Sequence, residues 1–202
     1  MDITLIAATG NPDKVREFKE IANDPDIRIL SLKDIGFAGE IREDGTTFAE
    51  NARIKARSVW QQTGGLVFAD DSGLAIDALG GFAGIYSARF MENASYHDKC
   101  FDLIRRLDEA GVPDDLRTAQ FVCAIAAIFP DGHEELCEAK VEGLIIHGMR
   151  GEHGFGYDPI FYVPSFGCTT AEMSEEQKNA ISHRGLAFAQ MMPKIRAWYA
   201  KK

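Results

Sequence analysis

The stretch "LVFADDSGL", Leu66 to Leu74, carries an apolar segment typical of a buried strand directly into two neighbouring carboxylates. An ionised carboxylate that loses water needs a cation or hydrogen-bond donors in its place. Neighbouring side chains on a regular strand point to opposite faces, so Asp70 and Asp71 share one cation only if the strand ends between them. The following Ser72-Gly73 favours such an end, and an acidic strand end that opens on a cleft suits Mg²⁺. An Asx-turn that closes the strand is the alternative interpretation.

Apolar runs on both sides of this stretch predict strands that alternate with helices early in the chain. The predicted strands are "ITLIAA", "IRIL", "LVFAD", "TAQFVCAIAAIF", "LCEAKVEGLII" and "PIFYV". The turn "PDGH" predicts that the fourth and fifth of these strands form a hairpin. Early alternation followed by a late hairpin predicts an α/β fold with a mixed sheet.

Capping residues mark the expected helix starts. The expected N-caps are Asn11 before Pro12, Thr47 with Glu50, Ser95 with Asp98, Ser174 with Gln177, and Ser182 for the closing helix. Gly64-Gly65 is expected to end the second helix. In the third helix, the residues whose spacing predicts an inward orientation are Cys100, Phe101, Ile104 and Leu107.

The composition describes an ordinary globular chain. Its 202 residues are 46% hydrophobic and 26% charged, which is enough for a core in one domain or two small lobes. No window approaches the ~20 continuous apolar residues of a membrane span. The N-terminal "MDITLIAATG" lacks the basic start and the cleavage site of a signal peptide. We therefore expect a cytoplasmic protein with no membrane partner.

The charge balance and the cysteines exclude several kinds of site. With 22 Lys and Arg against 31 Asp and Glu, the net charge is -9, so no diffuse basic surface is available to follow a nucleic-acid backbone. Any phosphate site must therefore be local. The four cysteines form no CxxC pair, which argues against a disulfide framework or a thiolate zinc site. We expect all four to be reduced and partly buried: Cys100, Cys123, Cys137 and Cys168.

Three other motifs carry residues suited to nucleotide binding. "TGNPDK", Thr9 to Lys14, joins a strand to a helix and makes either an anion site or a plain capped helix start. "HGFGYDP", His153 to Pro159, offers close backbone approach and aromatic faces for a base, or an aromatic loop packed on the core. "KNAISHRG", Lys178 to Gly185, suits phosphate or a keto-bearing base, or is a solvated run of charge.

The order of the motifs along the chain is more specific than any one of them. "TGNPDKVREF", "EDGTTFAENARIKA", "ADDSGLAIDALGG", "GIYSARF", "GFGYDPIF" and "ISHRGLAF" together resemble the non-canonical purine NTP pyrophosphatase family, from Ile6 to about Ala189. The resemblance implies one catalytic domain over residues 1–202, an elongated two-lobed α/β protein with a central nucleotide cleft, usually a homodimer. It also implies Mg²⁺-dependent hydrolysis of a nucleoside triphosphate between the α and β phosphates, which yields the monophosphate and pyrophosphate.

The resemblance further implies roles for individual residues. The triphosphate would be held by Thr9, Gly10, Asn11, Pro12, Asp13, Lys14 and Lys55. The metal ligands would be Glu43 and Asp71, with Asp71 also the candidate general base, while Asp70 either shares the metal or shapes the end of the strand. Ser72 would touch the substrate. The base pocket would be formed by Phe155, Gly156, Tyr157 and Asp158, and nucleotide recognition would be completed by Lys178, His183 and Arg184.

The chemistry agrees with this division of roles. Attack of water on a phosphorus surrounded by anionic oxygens needs Mg²⁺ and lysines to neutralise charge while one carboxylate orients the water. An aspartate bound to Mg²⁺ is a weak base, so Asp71 is expected to position or activate a metal-associated water. Hypoxanthine and xanthine carry a 6-oxo acceptor where adenine has an amino donor, and Arg184, His183 and loop N–H groups are the candidate donors. Two alternatives stay open: a house-cleaning pyrophosphatase for other modified nucleotides, and a nucleotide-binding sensor without turnover.

Overall fold

The computed structural model describes residues 2–201. Over this range the strands are β1 Ile3–Ala7, β2 Ile27–Leu30, β3 Val67–Ile76, β4 Phe82–Ala83, β5 Thr118–Ile128, β6 Glu134–Ile145, β7 Phe161–Val163 and β8 Cys168–Thr169. The α-helices are α1 Pro12–Ala22, α2 Phe48–Thr63, α3 Tyr96–Glu109, α4 Glu175–Ile181 and α5 His183–Tyr199.

The strands form one mixed sheet with the order β2-β1-β3-β5-β6-β7-β8, and β4 pairs with β3 outside this path. β1 runs parallel to β2, with Ile3 opposite Ile27, and parallel to β3, with Ile6 opposite Val67. The pairs β6/β7 and β7/β8 are antiparallel. The predicted α/β fold with a mixed sheet is therefore confirmed.

Local signals place most element boundaries correctly. The side chains of Asn11, Thr47, Ser95 and Ser174 accept from the first-turn N–H groups of α1, α2, α3 and α4, as expected. Gly64 ends α2 in the left-handed conformation, with φ of 60°. The predicted hairpin is also present, because β5 and β6 are neighbours in the sheet and Phe129 N–H donates to His133 O across the turn at 2.9 Å. The predicted capping box of Ser174 and Gln177 is complete.

The chain divides into two compact units. The first contains the residues up to Asp71, the segment Cys123–Ala139 and the residues from His183 onward. The second contains Ser72–Val122 and Lys140–Ser182. Each unit has its own buried apolar residues, so each can be described by itself.

In the first unit, side chains alternate along β3 between two core clusters. Phe68 packs with α1 and α5, since its ring centroid lies 5.0 Å from that of Phe18 and 5.8 Å from that of Phe188. Its neighbours Val67 and Ala69 belong to the other cluster, which contains buried residues of α2. One face of β3 therefore meets α1 and α5, and the opposite face meets α2.

In the second unit, α3 buries one face. Cys100, Leu103, Ile104 and Leu107 are buried in a core cluster with residues such as Leu74, Ile76 and Phe161. The expectation that Phe101 faces inward is wrong, because this side chain is 60% exposed. The buried positions are spaced three and four residues apart, and Leu103 rather than Phe101 continues that pattern.

The expectation that a strand ends between Asp70 and Asp71 is also wrong. β3 continues through both acids and through Ser72-Gly73 to Ile76. Its continuation is possible because the burial of Asp70 and Asp71 is compensated by cations and donors supplied by the helices, so no turn is needed to expose them.

Two other expectations concern the cysteines and the absence of a membrane span. Cys100, Cys123, Cys137 and Cys168 are free thiols, three of them buried and Cys168 partly exposed, as expected. Within residues 2–201, no helix has the length and apolar character required to cross a membrane.

Candidate functional site

The two adjacent acids of β3 lie on opposite faces of the strand in the first unit. Asp70 shares the face of Phe68 and meets side chains of α1 and α5. Asp71 shares the face of Ala69 and meets side chains of α2. The period of two along the strand thus separates two acids that are adjacent in the sequence.

On the first face, Asp70 is the centre of a buried ionic network. Its Oδ2 lies 2.8 Å from Lys14 Nζ and 3.4 Å from Arg184 Nε. Arg184 Nη1 in turn donates to Glu17 Oε2 at 2.8 Å. Burial raises the pKa of Asp70, but the positive charges of Lys14, Arg184 and Lys55 outweigh this and hold it well below its ordinary value. Asp70 is therefore an ionised carboxylate with built-in counter-charges.

On the second face, Asp71 is less fully compensated. Its Oδ1 accepts a hydrogen bond from Lys55 Nζ at 2.9 Å, and its Oδ2 accepts one from Asn51 Nδ2 at 3.1 Å. Lys55 Nζ also donates to Glu43 Oε2 at 3.1 Å. Burial raises the pKa of Asp71 above its ordinary value despite the positive charge of Lys55, and the charge of Glu43 adds to the rise. Two carboxylates therefore share one buried ammonium.

Asn51 is a site residue that the sequence interpretation missed. It is fully buried, and its two amide atoms connect the site: Nδ2 donates to Asp71, and Oδ1 accepts from Gly45 N–H at 2.9 Å. A signal was present, because Asn51 lies four residues before Lys55 and hence on the same helical face. Asparagine is also a poor residue inside a helix, so its presence in the second turn of α2 indicates a specific contact.

The start of α1 has the geometry of a capped helix. Asn11 Oδ1 accepts from the N–H groups of Asp13 at 2.9 Å and Lys14 at 3.3 Å, and Thr9 Oγ1 accepts from Asn11 N–H at 3.2 Å. Gly10 is exposed, and no heavy atom lies within 4 Å of the position that a Cβ would take there. A ligand can therefore approach the backbone at Gly10 without displacing a side chain.

In the second unit, Asp158 organises the glycine-rich loop. Its Oδ2 accepts from Phe155 N–H at 2.8 Å and from Lys178 Nζ at 2.8 Å. Its Oδ1 accepts from Thr170 Oγ1 at 2.8 Å. Lys178 Nζ also lies 5.2 Å from the ring centroid of Phe155. Asp158 is thus buried, with 3% of the residue exposed.

Tyr157 is buried beside this network. Its hydroxyl donates to Ser87 O at 2.6 Å, and its ring meets Tyr96 edge-on with centroids 5.4 Å apart. Burial raises the pKa of this phenol above its ordinary value. Phe155 is partly exposed, whereas Tyr157 packs inside the unit.

The predicted site residues are thus divided between the two units. Those of the first unit are Thr9, Gly10, Asn11, Pro12, Asp13, Lys14, Glu43, Lys55, Asp70, Asp71, His183 and Arg184. Those of the second unit are Ser72, Phe155, Gly156, Tyr157, Asp158 and Lys178. The structure brings Glu43, Lys55 and Asp71 together, and separately Lys14, Asp70 and Arg184.

The donor set at Asp71 fits a magnesium ion. Among residues 2–201, no three His, Cys, Asp or Glu side chains are grouped so that they alone would hold a metal. Glu43 and Asp71 do meet at one cation, the ammonium of Lys55. Mg²⁺ commonly takes one or two protein carboxylates and completes its shell with water and substrate phosphate oxygens, so two acids are sufficient.

Comparison with known proteins gives consistent matches along the chain. A model of the Ham1 family matches residues 5–194. The chain is 44% identical to the dITP/XTP pyrophosphatase of Bacillus cereus, over 96% of both chains. It is 44% identical to that of Photorhabdus laumondii, over 95% of this chain and 98% of the relative. A Ham1 protein structure from Coxiella burnetii matches with a TM-score of 0.86 and 38% identity, covering 96% of this chain and 99% of that one.

Proposed function

Because this chain belongs to the Ham1 family, we propose that it hydrolyses the non-canonical purine nucleotides dITP, ITP and XTP to the monophosphate and pyrophosphate, removing them from the nucleotide pool. The observation that carries the proposal is the cluster around Lys55, where the carboxylates of Asp71 and Glu43 meet one buried ammonium. Such a cluster can orient a water molecule and hold a Mg²⁺ ion, which would balance the charge of a triphosphate. The names of the relatives supply the class of substrate.

Mg²⁺ is part of the proposal, with Glu43 and Asp71 as its protein ligands. When bound, the ion would neutralise phosphate charge and make its bound water more acidic. Asp70 is left outside this ligand set, because its carboxylate lies on the opposite face of β3 and already pairs with Lys14 and Arg184. A chelator titration of the purified enzyme, followed by addition of Mg²⁺ or Mn²⁺, tests the requirement for a metal.

Asp71 is the proposed group that positions the attacking water. Lys55 and Asn51 each hold one of its carboxylate oxygens, so the side chain cannot rotate freely. The held carboxylate would orient a metal-associated water, which the bound ion would make more acidic. The bond cleaved would be the anhydride between the α and β phosphates.

Phosphate binding is assigned to Lys55 and to the segment from Thr9 to Lys14. Lys14 is held by Asp70 and keeps part of its side chain exposed, so its ammonium is positioned before a ligand arrives. The open space at Gly10 allows a phosphate to approach the backbone. Preorganised cations of this kind cost no rearrangement during the reaction.

Within the second unit, base recognition is assigned to the loop from Phe155 to Asp158 and to Lys178. His183 and Arg184 of the first unit are proposed to take part in nucleotide recognition. Within residues 2–201, the N–H groups of Gly156 and Tyr157 donate to no protein acceptor. These groups are suitable donors for the 6-oxo oxygen of hypoxanthine or xanthine, and adenine, with an amino group there, would leave them unpaired. A site built in this way rejects the wrong base by about 10⁴-fold or more.

A nucleotide panel tests the proposed function. Pyrophosphate release is measured with dITP, XTP, dGTP and dATP at equal concentration in the presence of Mg²⁺. We expect fast release from dITP and XTP and slow release from dATP and dGTP. Equal rates for the four would overturn the proposal, faster release from modified pyrimidines or methylated bases would favour a different house-cleaning enzyme, and binding without product would favour a sensor.

We also propose homodimeric assembly and a cytoplasmic location for this protein. Light scattering of the purified chain gives the mass of the assembly directly. Fractionation of the cell, with detection of the chain in each fraction, gives the location. A monomeric mass would contradict the first of these proposals, and recovery with the membrane fraction would contradict the second.

A further inference from the structure

The second unit contains a buried threonine, Thr170, whose hydroxyl contacts the base-recognition loop at Asp158, the last residue of that loop. We infer that Thr170 is a positioning residue for base recognition, which it serves by fixing the carboxylate of Asp158. The inference rests on the proposed function, because it concerns how the loop from Phe155 to Asp158 selects a base. Thr170 itself is assigned no contact with the substrate.

The carboxylate of Asp158 has three donors, and they divide between its two oxygens. Oδ2 accepts from the backbone of Phe155 and from the ammonium of Lys178, both at 2.8 Å. Oδ1 accepts from Thr170 Oγ1, also at 2.8 Å. Rotation about the bond to the carboxylate would break all three hydrogen bonds together. Thr170 therefore supplies the hydrogen bond that holds Oδ1, the carboxylate oxygen that does not accept from Phe155 or Lys178.

Thr170 is itself held firmly. Its side chain is 3% exposed, and its N–H donates to Phe161 O at 3.0 Å. Threonine is branched at Cβ and has few accessible side-chain conformations, so its hydroxyl keeps a fixed direction. A buried, charge-assisted hydrogen bond from such a group is both strong and directional.

The loop is shaped around this carboxylate. Gly154 has a φ of 76°, and a Cβ at that position would collide with Asp158 Oδ2 and lie 3.2 Å from Lys178 Nζ. Gly156 has a φ of 70°, so the backbone is left-handed on both sides of Phe155. Since Phe155 N–H is tied to Asp158, the direction of the next N–H groups along the loop depends on where the carboxylate lies.

Thr170 should therefore affect binding of the base and not binding of the phosphates. The N–H groups of Gly156 and Tyr157 are the proposed donors to the 6-oxo oxygen, and Lys178 packs over the ring of Phe155. A shift of Asp158 would move both features. The proposed phosphate-binding and water-positioning residues belong to the first unit, whereas Thr170, Asp158 and Lys178 belong to the second. Loss of the Thr170 hydroxyl should therefore weaken base recognition and leave turnover of bound substrate nearly intact.

The test compares Thr170→Val, which removes the hydroxyl at constant shape, with Thr170→Ser, which keeps it. For each variant, kcat and KM are measured with dITP and XTP, and the inhibition constant is measured for tripolyphosphate, which has no base. We expect Thr170→Val to raise KM for both nucleotides about tenfold, the effect of one hydrogen bond to a charged group, with kcat changed less than about twofold. Thr170→Ser should behave as the wild type, and tripolyphosphate should inhibit all three proteins equally.

Three results would overturn the inference: an unchanged KM in Thr170→Val, an equal rise in Thr170→Ser, or a parallel rise in the tripolyphosphate inhibition constant. Thermal melting checks the fold, and Thr170→Ala replaces Thr170→Val if the latter does not fold. If the wild type releases no pyrophosphate from any nucleotide, the proposed function fails by itself. Calorimetric binding of dITP and of tripolyphosphate then still decides the role of Thr170, because only dITP binding should weaken in Thr170→Val.

Discussion

The two faces of β3 surround the same side chain with opposite electrostatic environments. Asp70 pairs with two cations and has a pKa well below the ordinary value, since the charges of Lys14 and Arg184 outweigh the effect of burial. Asp71 pairs with one ammonium that it shares with Glu43, and burial raises its pKa. The difference shows that the number of counter-charges per acid, and not depth alone, sets the direction in which the pKa of a buried carboxylate shifts.

The sharpest test of this comparison is Asp71→Asn. Asparagine keeps the shape but cannot accept a proton or carry the charge that a metal requires. We expect kcat to fall by about 10²- to 10⁴-fold while dITP binding changes little. Because the asparagine amide places a donor against Lys55 or Asn51, the free energy of unfolding should fall by about 1–3 kcal/mol. Stopped-flow or steady-state pyrophosphate release measures kcat, and calorimetry measures dITP binding.

The matched control for that variant is Asp77→Asn, an exposed acid near the end of β3 that accepts from Thr118 Oγ1. It should retain wild-type activity. A chain that loses its fold in Asp71→Asn, or that retains full turnover, would remove Asp71 from the catalytic role.

The complementary test is Asp70→Asn, which should act mainly on stability. It leaves Lys14 and the buried guanidinium of Arg184 without their shared anion, and breaking a buried ion pair in this way costs about 3–5 kcal/mol. Urea unfolding measures the loss of free energy. A loss of unfolding free energy smaller than about 1 kcal/mol, the usual upper range for an exposed ion pair, would show that Asp70 is not a structural anion. The proposed difference between Asp70 and Asp71 would then be wrong.

The smallest expected effect in this series belongs to Asn51→Leu. The change removes the donor to Asp71 Oδ2, and an unsatisfied buried group of this kind costs about 1–3 kcal/mol. It also removes the acceptor for the partly exposed Gly45 N–H, which water can replace. With Asp71 less well oriented, kcat should fall about 10-fold. Activity and urea unfolding of the same preparation measure both effects.

Ser58→Ala is the matched control on the same helix. It removes a hydrogen bond from Ser58 Oγ to Ile54 O on α2, away from Asp71. We expect full activity and a loss of free energy within about 0.5 kcal/mol, as for most surface substitutions. If both variants lose activity equally, α2 responds to any substitution and Asn51 has no special positioning role.

Local rules predicted much of the fold and the identity of the candidate residues. Helix starts depend on side chains that reach backbone groups two or three residues away, so Asn11, Thr47, Ser95 and Ser174 could be found by inspection. The alternation of residues along a strand was equally accessible. Alternation by itself separates Asp70 from Asp71, and only a strand end at Ser72-Gly73 would bring them to the same side.

The features that the sequence did not predict depend on contacts between residues further apart than one helical turn or one strand period. Phe101 matched the apolar pattern of α3 but is exposed, because the direction of burial depends on which face of the helix the second unit covers. The partners of Asp158 were also hidden, since the donor of Thr170 follows it by 12 residues and that of Lys178 by 20 residues.

The sequence by itself determined the order of elements, the helix caps and the set of charged groups that the chemistry requires. Only the tertiary structure decided which charges meet. Arg184 reaches Asp70 and Glu17 across 114 and 167 positions of the chain, while Lys55 reaches Asp71 across 16. Propensity and periodicity act over a few residues, whereas the partner of a buried charge is set by which helix packs on which face of the strand. For that physical reason the two neighbouring aspartates, indistinguishable in "LVFADDSGL", acquire different properties in the folded chain.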